Sequence, residues 1–255
     1  MDFTYWYIFP IAFFTAIFAT GSGFGGSAVF VPVFYFLGLS PIEALSTGLV
    51  TELTGMSSAT FRYIRQKVVD YHMGILIILL SVPAVIIGRH LVLVLNPLIV
   101  KIIFGVVVLV FAIYTLLFNR SGTWGNRKNF PTDEFLPYLW VPYFGGLSIG
   151  LTSIGTCETT NILLGQILKY NVNYAVATSV FVNGVSDLVF SILSIESIRW
   201  DIAIFSMSGV LLGGQIGPLL NKYLPQKALK YIFGIALTLV GLRMLILSYL
   251  KLKGG

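Results

Sequence analysis

The chain has 255 residues, of which 56% are hydrophobic and 10% charged, with a formal net charge of +6. A soluble domain carries about 25% charged residues, and the buried fraction rises only slowly with length, so much of this apolar surface must face lipid. The basic residues gather in short segments between apolar runs (Arg62, Arg65, Lys67; Arg120, Arg127, Lys128; Lys222, Lys227, Lys230). Orientation signals belong there, and with no docking motif present the excess charge gives no reason to invoke nucleic acid.

The first residues, Met1-Asp2-Phe3, carry no basic region ahead of the apolar run, which is unlike a cleaved signal peptide. Apolar runs then cover residues 3–39, 44–63, 71–94, 98–118, 135–167, 172–193, 202–220 and 228–250. Six of these are close to the ~20 residues that a membrane-crossing helix needs. The first and fifth are longer and broken. One break is Gly21-Ser22-Gly23-Phe24-Gly25-Gly26-Ser27, with Pro32 following; the other is Gly150-Leu151-Thr152-Ser153-Ile154-Gly155-Thr156-Cys157. Each Gly costs a helix about 1 kcal/mol relative to Ala. Unwound backbone at membrane depth must be buried in protein or line a watery cavity.

The two broken runs belong to an internal repeat. Displacing the second half by about 130 residues sets Gly25 on Gly155, Ala44 on Ala175, Thr47 on Thr178 and Asp70 on Asp201. After a two-residue slip, Ile87-Gly88 meets Ile216-Gly217, Leu95 meets Leu224, Lys101 meets Lys230, and Ile103-Phe104-Gly105 meets Ile232-Phe233-Gly234. The expected fold is all-α and integral to the membrane: two homologous repeats, 1–118 and 135–255, joined by a cytoplasmic linker at 119–134. Each repeat is a broken or re-entrant helix followed by three transmembrane helices. Lys and Arg in corresponding loops favour inverted over parallel halves: three at 60–70 against one at 194–201, three at 119–134 against two after 250, and three at 221–230 against two at 89–101.

Paired broken helices point to a substrate site at the repeat interface. A helix that starts at a break presents unpaired N–H groups and about half a positive charge, which suits an anion. The expected substrate-binding residues are Gly25, Gly26, Ser27, Thr47, Thr51, Gly155, Thr156, Cys157, Thr178, Ser179 and Asn183, the Thr and Ser hydroxyls acting as donors. Glu52 lies deep in the second run and is matched by Asn183, with Asp187 one turn on; Glu158 follows the second break. Ionisable groups at membrane depth are functional candidates by default. Glu52, Glu158 and Asp187 are therefore the candidate proton carriers, against the plainer reading that they only hold helices together.

Asp70 and Asp201 are read as helix caps, His72 and His90 as interfacial residues without metal-ligand spacing, and Cys157 first of all as a small buried residue. Trp6, Trp124, Trp140 and Trp200 suit an interfacial belt, and Arg243 can snorkel from the last run. A single cysteine excludes an internal disulfide. Ser27 among glycines lacks a histidine at its depth, so the sequence is not read as an enzyme.

With these residues in place, the chain resembles the TauE/SafE family, the sulfite exporter and sulfonate permease group also called TSUP. The resemblance rests on Gly21–Ser27 with Pro32, on Gly38-Leu39-Ser40-Pro41-Ile42-Glu43-Ala44-Leu45-Ser46-Thr47, on Tyr63, Arg65 and Val68-Val69-Asp70, and on the weaker copy from Gly145 to Asp201. By position Gly25, Gly26, Ser27 and Thr47 match the first motif, and Gly155 and Thr178 the second. The chain departs from the usual glycine-rich pattern at Thr156 and Cys157, where a bulkier loop changes the cavity's shape. The resemblance implies transport of sulfite, sulfonates or related sulfur-containing anions, coupled to an ion gradient. The expectation is a multi-pass secondary transporter of the cell membrane, working by alternating access with protons as the candidate coupling ion. Its partners are a small anion and the bilayer, with homo-oligomerisation open and no cofactor called for. The alternative is an anion channel, or a transporter of a non-sulfur anion.

Overall fold

The computed structural model describes residues 3–117, 125–128, 132–223 and 226–253, with some side chains near the ends of the last two segments left out. Arg120, Trp124, Leu224 and the side chains of Lys222, Lys227, Lys230 and Phe233, named above, lie outside the described residues. The described chain is helical: α1 (Ile8–Ser22), α2 (Ser27–Phe36), α3 (Pro41–Arg65), α4 (Tyr71–Val94), α5 (Pro97–Leu117), α6 (Thr132–Phe135), α7 (Trp140–Thr152), α8 (Thr156–Ile162), α9 (Val172–Leu193), α10 (Trp200–Tyr223) and α11 (Gln226–Lys253). Both long apolar runs break where expected, between α1 and α2 and between α7 and α8.

Local chemistry sets several helix starts. Pro41 opens α3 behind Ser40, whose N–H and hydroxyl both donate to the Glu43 carboxylate at 2.9 and 2.7 Å. Asp70 caps α4, accepting from the Met73 N–H at 3.1 Å, as read from the sequence. Asp201 lies in the first turn of α10, where an acidic residue suits the helix dipole, and its carboxylate also forks onto Arg199 at 3.0 and 2.8 Å.

Helices pack closely wherever glycine removes a side chain. A Cβ on Gly209, Gly213 or Gly217 of α10 would stand 2.4, 2.4 and 2.7 Å from the carbonyl oxygens of Phe9, Phe13 and Ile17 of α1. The rising register shows that α1 and α10 run side by side in the same direction. Gly146 and Gly150 of α7 face the Ser81 and Val85 carbonyls of α4 in the same parallel manner. Small residues at every fourth position are how membrane helices approach this closely. The outer pair is antiparallel: Gly105 of α5 meets Leu245 of α11, and Gly234 of α11 meets Leu116 of α5.

The centre is made by α3 and α9. Thr47 at the start of α3 meets Arg199 before α10, and Ser58 further on meets Leu211 and Gln215, so α3 runs with α10. The ends of α3 and α10 and the start of α9 meet around Arg62, Tyr223 and Asn173, so α9 runs the opposite way. Val31 of α2 packs on Gly48 while Ser27 meets Glu52, which makes α2 antiparallel to α3. Since α1 runs with α3, the chain reverses at the first break.

Among the described residues four helices are long and apolar enough to cross a membrane: α4, α5, α9 and residues Trp200–Leu220 of α10. The 25-residue α3 has the length but carries Glu43, Glu52, Arg62 and Arg65. Its buried face holds Ser46, Thr47, Thr51 and Glu52 rather than a continuous apolar surface. Trp6, Trp140 and Trp200 are exposed near helix ends, and the Arg243 guanidinium rests on the Phe36 ring at 4.1 Å.

Candidate functional site

The two breaks meet at the middle of the molecule, and each ends a helix in the same way. Gly23 (φ 73°) closes α1 and Ser153 (φ 61°) closes α7, both left-handed. Glycine supplies this conformation without strain. Gly155 (φ 148°) needs glycine twice over, because a Cβ there would also stand 2.6 Å from that of Ser148.

The helices that restart after the breaks present N–H groups to side chains one helix away. Glu52 of α3 accepts from the Gly26 N–H at 3.0 Å and the Ser27 N–H at 2.9 Å, and the Ser27 hydroxyl donates to the same carboxylate. The repeat counterpart of Glu52 does the same job: Asn183 Oδ1 of α9 accepts from the Cys157 N–H of α8 at 3.0 Å. Glu158 joins the breaks. One oxygen accepts from the Gly155 N–H at 2.9 Å, and the other from the Gly25 N–H at 2.8 Å.

Asn183 Nδ2 then ties the acids together, donating to Glu52 and to Asp187 at 3.0 Å each. Around Gly25 the carboxylates come close: a Cβ on that residue would lie 2.9 Å from Glu52 and 3.2 Å from Glu158. Glu52, Glu158 and Asp187 are each at most 2% exposed. The ion pairs found among the described residues, Arg127–Glu134 and Arg199–Asp201, lie on exposed side chains and leave this cluster to hydrogen bonds.

The structure therefore brings together Gly25, Gly26, Ser27, Glu52, Gly155, Thr156, Cys157, Glu158, Asn183 and Asp187. Cys157 is fully buried with its thiol against the Ser179 hydroxyl, which itself donates to the Val176 carbonyl at 2.9 Å. The remaining hydroxyls are committed elsewhere. Thr47 accepts from the Arg199 N–H and Thr178 from the Asp70 N–H, both at 3.0 Å, so these counterparts cap the turns that enter α10 and α4. Thr51 bonds to Ser206 at 2.7 Å and donates to the Thr47 carbonyl.

One important residue escaped the sequence reading. Asn161 of α8 donates to the Ser22 and Gly23 carbonyls at 3.0 and 2.8 Å, satisfying the end of α1 across the interface. Its repeat position in the first half holds apolar residues, so the alignment gave no signal for it. Several buried polar atoms nearby lack any hydrogen-bond partner: Ser153 Oγ, Thr156 Oγ1, Thr160 Oγ1, Asn161 Oδ1 and Asp187 Oδ1. Buried polar groups without a partner are rare in native proteins, and each calls for an explanation.

Among the described residues the three carboxylates are held by backbone N–H groups, the Ser27 hydroxyl and the Asn183 amide, with no ion pair to them. Two helix starts and their N–H groups offset the carboxylates, and an incoming oxyanion would seek the same donors.

Over most of its length the chain is similar to known membrane proteins. The family described as sulfite exporter TauE/SafE matches residues 8–244. The "Probable membrane transporter protein YunE" of Bacillus subtilis (strain 168) is 26% identical over 249 residues, covering 88% of this chain and 90% of the relative. The "Probable membrane transporter protein ORF9" of Sinorhizobium sp is 25% identical over 224 residues, covering 87% and 84%. No solved structure matches the chain significantly. With its family-wide match, its apolar spanning helices and its paired breaks, the chain is a multi-pass membrane transporter and belongs to the TauE/SafE sulfite exporter family.

Proposed function

We propose that the protein is a secondary transporter that moves a small sulfur-containing anion, sulfite or a sulfonate, by alternating access, with protons as the coupling ion. The observation that carries this reading is the occupation of both helix starts by internal acceptors. Glu52 and Glu158 sit on the N–H groups that an oxyanion would use. A carboxylate bound this way competes with the substrate. Once protonated it loses its hold on the N–H donors, and an anion can take its place with no change in the buried charge. Proton and anion then enter together. Thr156, Thr160 and Ser153, whose hydroxyls have no partner, supply further donors.

The halves 1–118 and 135–255 form an inverted pair about an axis between α3 and α9, with 119–134 as the linker. This reading is supported by the opposite directions of α3 and α9 and of α5 and α11, and by the exchange of duties between Glu52 and Asn183 and between Thr47 and Thr178. Arg62, Arg65, Lys67, Arg127, Lys128 and Lys169 all fall at the face where α3 ends and α9 begins, which makes that face cytoplasmic. Alternating access follows as a rocking of one half on the other around the shared breaks.

The test is uptake into proteoliposomes of radiolabelled sulfite, a small sulfonate and sulfate, with and without a pH gradient. Saturable uptake of a sulfur oxyanion accelerated by an inward proton gradient is the expected result. Non-saturating flux would favour a channel, and transport only of other anions would remove the sulfur assignment.

A further inference from the structure

The two mouths of the molecule differ, and the repeat shows where. At the basic face a cavity of about 410 Å³ opens between the ends of α3 and α10 and the start of α9, lined by Arg62, Gln66, Val68, Asn173, Pro218 and Tyr223. Val68 also packs on the buried cluster of Tyr63, Val176 and Cys157, so one apolar plug separates the cavity from the second break. At the opposite mouth the alignment that sets Gly88 on Gly217 sets Arg89 on Pro218, and the one that sets Asp70 on Asp201 sets Arg62 and Tyr63 on Leu193 and Ser194. There Arg89 of α4 donates to Ser194 Oγ at 3.0 Å and to the Leu193 carbonyl at 2.5 Å. The side chain of Arg89 fastens the end of α4 to the end of α9 at the place where the basic face is open.

We infer that the cavity at Arg62, Gln66 and Asn173 is the access site through which a small oxyanion reaches the breaks, and that Arg89 latches the counterpart site at the other mouth shut. A guanidinium beside two amides suits an oxyanion: it concentrates anions at the mouth and offers planar paired donors. The latch joins a charged donor to a carbonyl and a hydroxyl, so its loss should move the balance between the two open states by about tenfold or more. The inference rests on the inverted-repeat reading but not on the identity of the substrate or on coupling.

Cys157, the single cysteine, is a buried member of the apolar plug at the second break, so its labelling reports access from either side. The experiment is labelling of Cys157 by membrane-impermeant methanethiosulfonates in right-side-out and inside-out vesicles. Two reagents of similar size are compared, one bearing a sulfonate and one a quaternary ammonium. In the unaltered protein Cys157 should react from the basic face and not from the other. Arg89→Ala, and more weakly Ser194→Ala, should make it react from the far face and slow its reaction from the basic face. An unchanged far-side rate, or an equal rise from both sides as general loosening would give, overturns the latch. Arg62→Gln should lower the sulfonate-over-ammonium rate ratio from the basic face by about threefold or more; an unchanged ratio overturns the access site. Since no transport is measured, failure of the sulfur assignment leaves this result readable.

Discussion

Replacing Asn183 by Leu tests how the centre is held. The side chains have similar volume, so the change removes hydrogen bonds without opening a large cavity. Three are lost: the Cys157 N–H loses its acceptor, and Glu52 and Asp187 each lose the Asn183 amide as donor, all at 3.0 Å. A buried N–H left unpaired costs about 1–3 kcal/mol, and a hydrogen bond to a charged group contributes about 1.5–3 kcal/mol. Bonds in one network do not add fully, so the combined loss is about 3–6 kcal/mol. At about 2–4 °C per kcal/mol for a chain of this size, the melting temperature falls by about 6–24 °C. Melting of the purified protein in a mild detergent reads this directly, with Asn183→Gln as a partial-rescue control. A leucine variant that melts within about 2 °C of the parent would refute the reasoning, because a fall that small is below 1 kcal/mol.

Thr47→Val and Thr178→Val each strip the acceptor from one backbone N–H at equivalent turns. Both should lower the melting temperature by similar amounts, about 1–3 kcal/mol each; a clear inequality contradicts their matched duties. Gly213→Val places a side chain where a Cβ alone would stand 2.4 Å from the Phe13 carbonyl. Folded yield on size-exclusion chromatography should collapse, whereas exposed Gly38, with nothing near its Cβ, tolerates Asn. Arg199→Ala breaks an exposed ion pair with Asp201 and should change stability by no more than about 1 kcal/mol, less at high salt. Asn161→Leu unties the end of α1 from α8 and should lower both the melting temperature and the transport rate.

Much of this was legible in the sequence because the repeat carried it. Alignment alone pairs Glu52 with Asn183, and each accepts from an N–H group at one of the two breaks. The glycine runs located the breaks to within a few residues, since no buried helix absorbs four glycines in seven positions without cause. Directions were harder. Nothing in 3–39 says that the chain reverses at Gly23; that follows from α2 packing antiparallel on α3. Hydroxyl roles were hardest, because Thr47, Thr51 and Thr178 lie on helices buried on several sides, where spacing does not say which neighbour a hydroxyl meets. The sequence places Glu158 beside one break, while its contact with Gly25, 133 residues away, is set only by helix packing.

The central claim is that the internal carboxylate and the transported anion exchange places on the same N–H groups, with a proton making the exchange neutral. It is tested most directly by proton movement during anion uptake in proteoliposomes holding a pH-sensitive dye. A small alkylsulfonate is the best probe, because it carries no titratable proton of its own near neutral pH. The account predicts acidification of the lumen that accompanies uptake by the unaltered protein and disappears in Glu52→Gln while some uptake persists. Uptake without proton movement in the unaltered protein, or acidification that survives in Glu52→Gln, would contradict it.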